Sequence, residues 1–440
     1  MHEPSVIEIN LTAIDRNVAA IRRLVGPGCR FCPIVKADAY GLGATRVARR
    51  LVEAGADLLA VYSLPQAAEL GMSRVGVPVP VPILVLMPVS ELRPGDETWR
   101  MASEGRLELT LHDLAQARSL EGLAAALGRP IPVHVEIDTG MSRGGVAWTD
   151  AASLIERVAT SPHFALRGLF THFASSRTDR AFTDLQLERL AAVERACEAF
   201  LSPDVLIHVA STYGLLRHPR YHRSMVRCGL AWAGYGLEEI EGGELDLPAD
   251  FLQPCVRWRS RVVQVKRLAA GTPVGYGSTW TARRPSLIGL VPVGYADGFP
   301  VPRPLPAGAA ASGEPEPRQK VAVLVETVRG TQRAFVPVVG AVNMDQITVD
   351  LTDVVSLWDL LGPDAAGVGP VPNLEVEIVT PDVAAPNHLP TLAARSGLIP
   401  HEMLCRIHHR IPRMYVVDGV AIGAGGESGA AAEALRAVAG

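Results

Sequence analysis

Lys36 stands at the end of an apolar β-type run, FCPIVKADA (31–39). An amine held there against apolar neighbours loses hydration. Its pKa then falls from about 10.4, and it becomes able to form a Schiff base. A solvated rim lysine is the alternative, and position alone leaves both open. Polar residues recur at the ends of later apolar runs: Asp138 and Arg143, then His172, then Ser211 and Thr212, then Arg227, Gly229 and Leu230. A lone histidine at a strand end is more often merely hydrogen-bonded, but polar chemistry at five strand ends is harder to dismiss. Gly229 allows backbone N–H groups close to a phosphate. A lysine at the first run, a phosphate grip at the last two and an arginine nearby suit pyridoxal phosphate, as one option among several.

The elements that must position these residues alternate. Apolar runs at 31–39, 58–63, 82–87, 107–113, 131–138, 166–174, 205–211 and 226–234 are separated by helical patterns such as 44–55 and 181–200. Continuous apolar strands with helices between them indicate a parallel sheet. Eight such units predict an α/β fold of the (β/α)8 barrel type, whose active sites lie at the C-terminal strand ends and whose phosphate sites recur after the seventh and eighth strands. The third connection is the least helical, because prolines crowd 78–82 and Pro94 follows.

Beyond about residue 245 the texture becomes β-rich, in 255–268, 286–296, 319–326 and 335–351, with Gly and Pro clusters between. This predicts a mostly antiparallel second domain. The expected division is a barrel over 11–245, a β domain over 246–423, and a flexible tail over 424–440. The stretch 303–319 reads as a mobile surface insertion.

The 440-residue chain is 48% hydrophobic and 20% charged, with a formal net charge of -4. That is an ordinary globular balance, and it suggests neither a nucleic acid nor an anionic membrane as partner. No apolar run approaches the length of a membrane span. The opening MHEPSVIEINL lacks the basic and apolar regions of a signal peptide, so the expectation is a cytoplasmic protein. Cys29 and Cys32 form a single C-x-x-C without the second pair a structural zinc site wants. No metal is expected, and the two read as cysteines at the start of a strand.

The motif VKADAYGLG (35–43) resembles the cofactor-lysine motif of the alanine racemase family. The resemblance continues collinearly through IDTGMSR (137–143), THFA (171–174), VRCGLAWAGYG (226–236), VGYGSTWTA (274–282), VGYADGFP (293–300), GAVNMDQ (340–346) and HRIPR (409–413). It implies a barrel domain followed by a β domain, with residues 1–10 joining the latter. It also implies a homodimer with shared active sites, an amino-acid substrate and pyridoxal 5'-phosphate as cofactor. Lys36 would hold the cofactor and act as one racemisation base, while Tyr276 of the partner subunit would act as the other. His172 would tune Tyr276, with Arg227 behind it. Arg227 would donate to the pyridine nitrogen; a guanidinium keeps its proton, so that nitrogen would stay unprotonated. Tyr40, Thr212, Gly229 and Leu230 would grip the phosphate. Arg143 would contact the cofactor phenolate and the substrate, Met344 the substrate carboxylate, and Tyr295 would line the entrance.

The chain departs from the family pattern at four places. Glu136 occupies a position where members often carry a carbamylated lysine, and would serve as the anionic partner of Arg143. His409 stands where tyrosine usually helps hold phosphate and limits the substrate pocket. Asp38 and Leu42 replace the usual Asn and His. The expected reaction is interconversion of L- and D-alanine, supplying D-alanine as a cell-wall precursor. The rival readings are a serine or broader-specificity racemase, a non-racemase cofactor-binding protein, and a decarboxylase of the same superfamily. The tyrosine motif VGYGSTWTA argues against the second and Arg227 against the third.

Overall fold

The computed structural model describes residues 4–72, 79–240, 244–301, 319–327, 330–354 and 374–422. Nearly all of the expected 303–319 insertion and the whole 424–440 tail lie outside these. The chain divides into two compact units, residues 13–253 and residues 1–12 with 254–440.

The first unit is built on parallel strands β2 (Arg30–Pro33), β3 (Leu59–Val61), β4 (Ile83–Pro88), β5 (Leu107–Leu111), β6 (Ile131–Asp138), β8 (Phe164–Phe170), β9 (Leu206–His208) and β10 (Met225–Cys228). A two-residue strand, β7 (Val146–Ala147), pairs with the end of β6. Neighbours from β3 to β9 pair in order, and β10 pairs with β2. Two seams close the ring. The Val35 N–H donates to the Ala60 carbonyl at 2.9 Å, beside an Ile34–Ala60 bridge. The Ser224 and Arg227 N–H groups donate to Ile207 and Ala210 at 3.0 and 2.9 Å. The result is the eight-stranded barrel that the run pattern predicts.

The helices follow from local chemistry. Helix Ala44–Glu53 buries Ala44, Val47, Ala48 and Leu51, the spacing of one helical face. Helix Leu114–Leu127 starts where Asp113 accepts from the Gln116 N–H and stops at Gly128, whose φ of 67° ends the helix. The expected weak third helix is Glu97–Ser103, only seven residues long. Cys29 and Cys32 are buried and unpaired, and burial pushes the Cys29 thiol up to about 11. Such thiols are structural rather than redox-active.

The second unit is a sheet ordered β12-β15-β18-β17-β16-β19-β11-β1-β20-β21. Its strands are β1 (Val6–Asn10), β11 (Val256–Arg261), β12 (Gln264–Leu268), β15 (Ser286–Val291), β16 (Lys320–Thr327), β17 (Gly330–Val339), β18 (Ile347–Asp350), β19 (Glu375–Val379), β20 (Arg413–Val417) and β21 (Val420–Ile422); β13 (Pro273–Val274) and β14 (Trp280–Thr281) form a separate ribbon. Pairing is antiparallel except between β1 and β20. Gln319, expected at the end of a surface insertion, is instead buried: its amide donates to the Pro300 carbonyl and the Ser396 hydroxyl.

Candidate active site

The barrel rim begins with a backbone anomaly. The first strand ends at Pro33, three residues short of Lys36. Lys36 opens a turn, Lys36–Gly41, in which Ala37, Asp38, Ala39 and Tyr40 hold left-handed φ values of 52°, 56°, 51° and 59°. That conformation costs roughly 1–2 kcal/mol per L-residue and persists only where its surroundings enforce it. Here the Ala44 N–H donates to Asp38 Oδ1 at 2.6 Å and the Gly43 N–H to the Asp38 carbonyl at 3.0 Å. Asp38, in place of the family's asparagine, thus ties the turn to the helix that follows. Leu42 is fully buried beside it. Trp232 packs 6.0 Å from the Tyr40 ring and donates its indole N–H to the Ile34 carbonyl.

Tyr40 reaches the other side of the rim. A Cβ on Gly229 would sit 2.2 Å from the Tyr40 hydroxyl, so only glycine leaves that space open. Gly229 precedes the turn Leu230–Ala233, and the Ala231 N–H donates to Thr212 Oγ1 at 3.2 Å. Tyr40, Thr212, Gly229 and Leu230 therefore meet in one small cup of hydroxyls and backbone, the chemistry that suits a phosphate. Ser211 begins the helix Thr212–Arg217 that carries Thr212.

Positive charge gathers beside this cup. Burial, then the charges of Arg227, Arg143 and Lys36, push the pKa of His172 down to about 3, so its imidazole is neutral. Gln186 fixes the backbone there, accepting from the Ala174 N–H and donating to the His172 carbonyl. Arg227 is buried, and its Nη1 donates to His208 Nδ1 at 2.7 Å and to the His208 carbonyl at 2.8 Å. Its Nη2 donates to the Thr171 carbonyl at 2.9 Å. Burial lowers its pKa to about 10, which still leaves it a cation at neutral pH. Asp138 Oδ1 accepts from the N–H groups of Gly140 and Ser142 and so shapes the turn that ends in Arg143.

One expected contact is absent. Glu136 does not pair with Arg143; its Oε2 lies 3.3 Å from His112 Nδ1, which also accepts from the Gly145 N–H. A glutamate is much shorter than a carbamylated lysine. Its carboxylate ends under the Gly144–Gly145 turn, while Arg143 is exposed on that turn. The negative charge of Glu136 bears on Arg227 instead.

In the second unit, four motif residues lie on loops that touch one another. The Tyr295 and Ala296 N–H groups donate to the carbonyls of Asn343 and Met344 at 3.0 and 2.9 Å. A Cβ on Gly275, next to Tyr276, would be 3.2 Å from the Ala341 nitrogen. Arg410, following His409, bridges Asp297 and Asp345 at 2.7 and 2.8 Å. Tyr276, Met344 and Tyr295 are 78%, 55% and 47% exposed, and His409 is exposed and packs on His408.

Comparison with known proteins decides the family. The alanine racemase N-terminal domain model matches residues 9–237, and the C-terminal domain model matches residues 255–415. The chain belongs to the alanine racemase family. It is 35% identical over 414 residues to an alanine racemase from Desulfovibrio desulfuricans, covering 94% of this chain and 98% of that one. An alanine racemase from Symbiobacterium thermophilum is 34% identical over 414 residues, covering 94% and 97%. Among solved structures, alanine racemase from Streptomyces coelicolor A3(2) matches with a TM-score of 0.74 and 30% identity over 94% of this chain and 98% of that one.

Family motifs and strand-end positions led to the rim residues above and contain Asp297, Asp345 and Arg410, but they did not lead to His208, Gln186 or His112. His208 and His112 show only a polar residue inside or just after an apolar strand, and Gln186 only a polar residue in a helix, signals that read equally well as satisfied core groups. A site for pyridoxal phosphate must supply an amine, a phosphate cup and a cationic wall. Lys36 offers the amine, Tyr40, Thr212 and the Gly229 backbone the cup, and the cations around neutral His172 the wall.

Proposed function

We propose that this chain interconverts L- and D-alanine using pyridoxal phosphate, as a homodimer whose active sites are completed by the partner subunit. The observation that carries the reading is the convergence of Lys36, Arg143 and Arg227 on neutral His172. In the same rim, the Tyr40 hydroxyl lies close against Gly229. When bound, the cofactor supplies an electron-withdrawing ring that makes the substrate Cα–H acidic. The residues do the rest. Tyr40, Thr212, Gly229 and Leu230 hold the phosphate, and Arg143 the phenolate side. Lys36 anchors the cofactor through its amine, and its Nζ gives or takes the Cα proton on one face of the substrate. Tyr276 of the partner subunit serves the opposite face with its phenolic oxygen, supported by His172. Arg227 donates to the ring nitrogen and cannot protonate it, which restrains side reactions that a stronger electron sink would permit. Met344 and Tyr295 from the partner subunit receive the substrate carboxylate and line the entrance. Among the described residues no disulfide joins the cysteines, which fits a reducing cytoplasm, where the product would serve cell-wall synthesis.

Purified protein should absorb visibly with bound cofactor and convert L-alanine to D-alanine by chiral chromatography. Lys36→Ala should lose both properties. A borohydride-trapped adduct on another lysine would refute the assignment of Lys36. A second reading, broader specificity that includes serine, is favoured by His409, whose smaller polar side chain replaces tyrosine.

A further inference from the structure

Four titratable side chains that lie on separate strands form one continuous string through the barrel interior. Glu108 on β5 accepts at Oε2 from His134 Nε2 at 2.7 Å. His134 Nδ1, on β6, lies 2.8 Å from His208 Nε2 on β9. His208 Nδ1 lies 2.7 Å from Arg227 Nη1 on β10. All four are at least nine-tenths buried: 8%, 0%, 0% and 4% exposed. No motif quoted for the family contains Glu108, His134 or His208.

The donor rules allow only one proton arrangement. A guanidinium can only donate, so His208 Nδ1 must accept. Neutral His208 then carries its proton on Nε2 and donates to His134 Nδ1. His134 in turn carries its proton on Nε2 and donates to Glu108. Every bond points the same way, from a fixed cation to a carboxylate, with two neutral imidazoles between. Burial, followed by the charge of Arg227, holds the pKa of His208 well below the ordinary value, in keeping with a neutral ring. Gly168 on β8 makes the arrangement possible. A Cβ there would sit 2.4 Å from His134 Nδ1 and 2.9 Å from His208 Nε2, inside the hydrogen bond itself. A strand-interior glycine otherwise weakens a sheet, and close approach of other groups is a standard reason to keep one. Phe170 stacks on the His208 ring at 4.9 Å and also lies under the Arg227 guanidinium at 4.7 Å, which removes the remaining freedom of both.

We propose that Glu108, acting through His134 and His208, is a positioning residue that fixes the orientation of Arg227 toward the cofactor ring. This rests on the reading that Arg227 faces that ring. An arginine with two Nη1 hydrogens committed to His208 and one Nη2 hydrogen to Thr171 cannot rotate without breaking three bonds. A carboxylate at the far end of a polarised chain strengthens each link and offsets the buried cation. Removing that charge while keeping the shape should loosen Arg227 without emptying the phosphate cup.

The test uses holoenzyme labelled with 15N-histidine. In wild type, His134 and His208 should both show an unprotonated Nδ1 and a protonated Nε2; a proton on either Nδ1 overturns the string. Glu108→Gln keeps an acceptor for His134, so fold and tautomers should persist. Its kcat should fall roughly ten- to a hundredfold, the range for outer partners that orient a reactive group, with KM little changed and an altered visible band of the bound cofactor. Gly168→Ala, which wedges the two imidazoles apart, should perturb the same band and the same tautomers. If Glu108→Gln retains the wild-type band and kcat, Glu108 is structural only and the proposal fails. If wild type binds pyridoxal phosphate but racemises nothing, the proposed function fails while the tautomer result stands by itself.

Discussion

The barrel rim and the motif loops of the second unit are opposites in exposure. On the rim, Tyr40, Thr212 and Arg227 are 4%, 3% and 4% exposed, and Thr212 and Arg227 hydrogen-bond to neighbours in the same unit. On the second unit, Tyr276 is 78% and Met344 55% exposed, although the loops beneath them are tied by backbone hydrogen bonds and by Arg410. The rim is therefore preorganised within its own unit. The loops of the second unit form a tied base that presents a phenol and apolar surface to solvent. Exposed apolar groups on a well-tied base commonly mark a docking face. The contrast teaches where each half is expected to be sensitive: the rim to steric and charge changes, the loops to assembly.

The largest effect should come from separating the halves. Lys36→Ala and Tyr276→Phe chains should each be nearly inactive alone. Mixed under exchange conditions, they should regain about a quarter of wild-type activity, because random assortment makes half the dimers mixed and each keeps one intact site. A mixture that stays inactive while forming mixed dimers would show that Tyr276 does not serve the partner's lysine.

A change confined to the rim should come next. Gly229→Ala puts a Cβ 2.2 Å from the Tyr40 hydroxyl and should weaken cofactor retention at least tenfold, or about 1.4 kcal/mol. Adding Tyr40→Phe removes the clashing oxygen, so the pair should bind better than the sum of the single losses allows. Equilibrium dialysis of pyridoxal phosphate measures both. Strict additivity would mean that Tyr40 and Gly229 do not share the cup.

The same contrast explains what the sequence made legible. Apolar runs of six to nine residues, with helices between, announce a barrel because burial on both faces demands continuous hydrophobicity. The second unit was readable as β because Gly and Pro punctuate its strands. Lys36, Arg143 and Tyr276 were reachable through motifs. The left-handed turn at Ala37–Tyr40 was not, since none of its four residues is a glycine. Glu108, His134 and His208 were equally hidden. Each sits inside an apolar run, and only closure of the ring brings β5, β6, β9 and β10 residues into one string. The Glu136 expectation failed for a related reason. Spacing along the chain matched Arg143, but the shorter side chain leaves the carboxylate under the Gly144–Gly145 turn, beside His112.

Acid should reveal the rim's buried imidazoles as a smaller effect on stability. His172 and His208 bind protons less readily when folded, with His172 held at about 3 against an ordinary 6.5. Above pH 6.5 neither state is protonated and they add no pH dependence. Below it the unfolded chain takes up protons that the folded one refuses. Stability should therefore fall from about pH 6.5 toward pH 3, by at most about 1.4 kcal/mol per pH unit for each group. Thermal midpoints across that range should fall less steeply in His172→Gln. An unchanged slope would place the acid sensitivity elsewhere.

The smallest expected effect concerns specificity and falls on the exposed half. His409 packs against His408 with ring centroids 4.1 Å apart, and the next residue, Arg410, is clamped by Asp297 and Asp345. The backbone at His409 is thus held while its side chain remains at the surface of its unit, so a replacement should alter chemistry without moving the loop. A hydrophobic pocket rejects an added hydroxyl by only about a hundredfold. A polar residue at its edge closes part of that gap, and an imidazole leaves more room than the family's phenol. His409→Tyr should lower the serine-to-alanine ratio of kcat/KM, by about tenfold at most, because a single neutral hydrogen bond contributes about 1 kcal/mol. A competing role for His409, holding phosphate, makes a different forecast. The ratio would then stay constant while cofactor affinity changed. Measuring both quantities in the same variant separates pocket control from phosphate control. A constant ratio would leave this chain with the specificity of an ordinary family member.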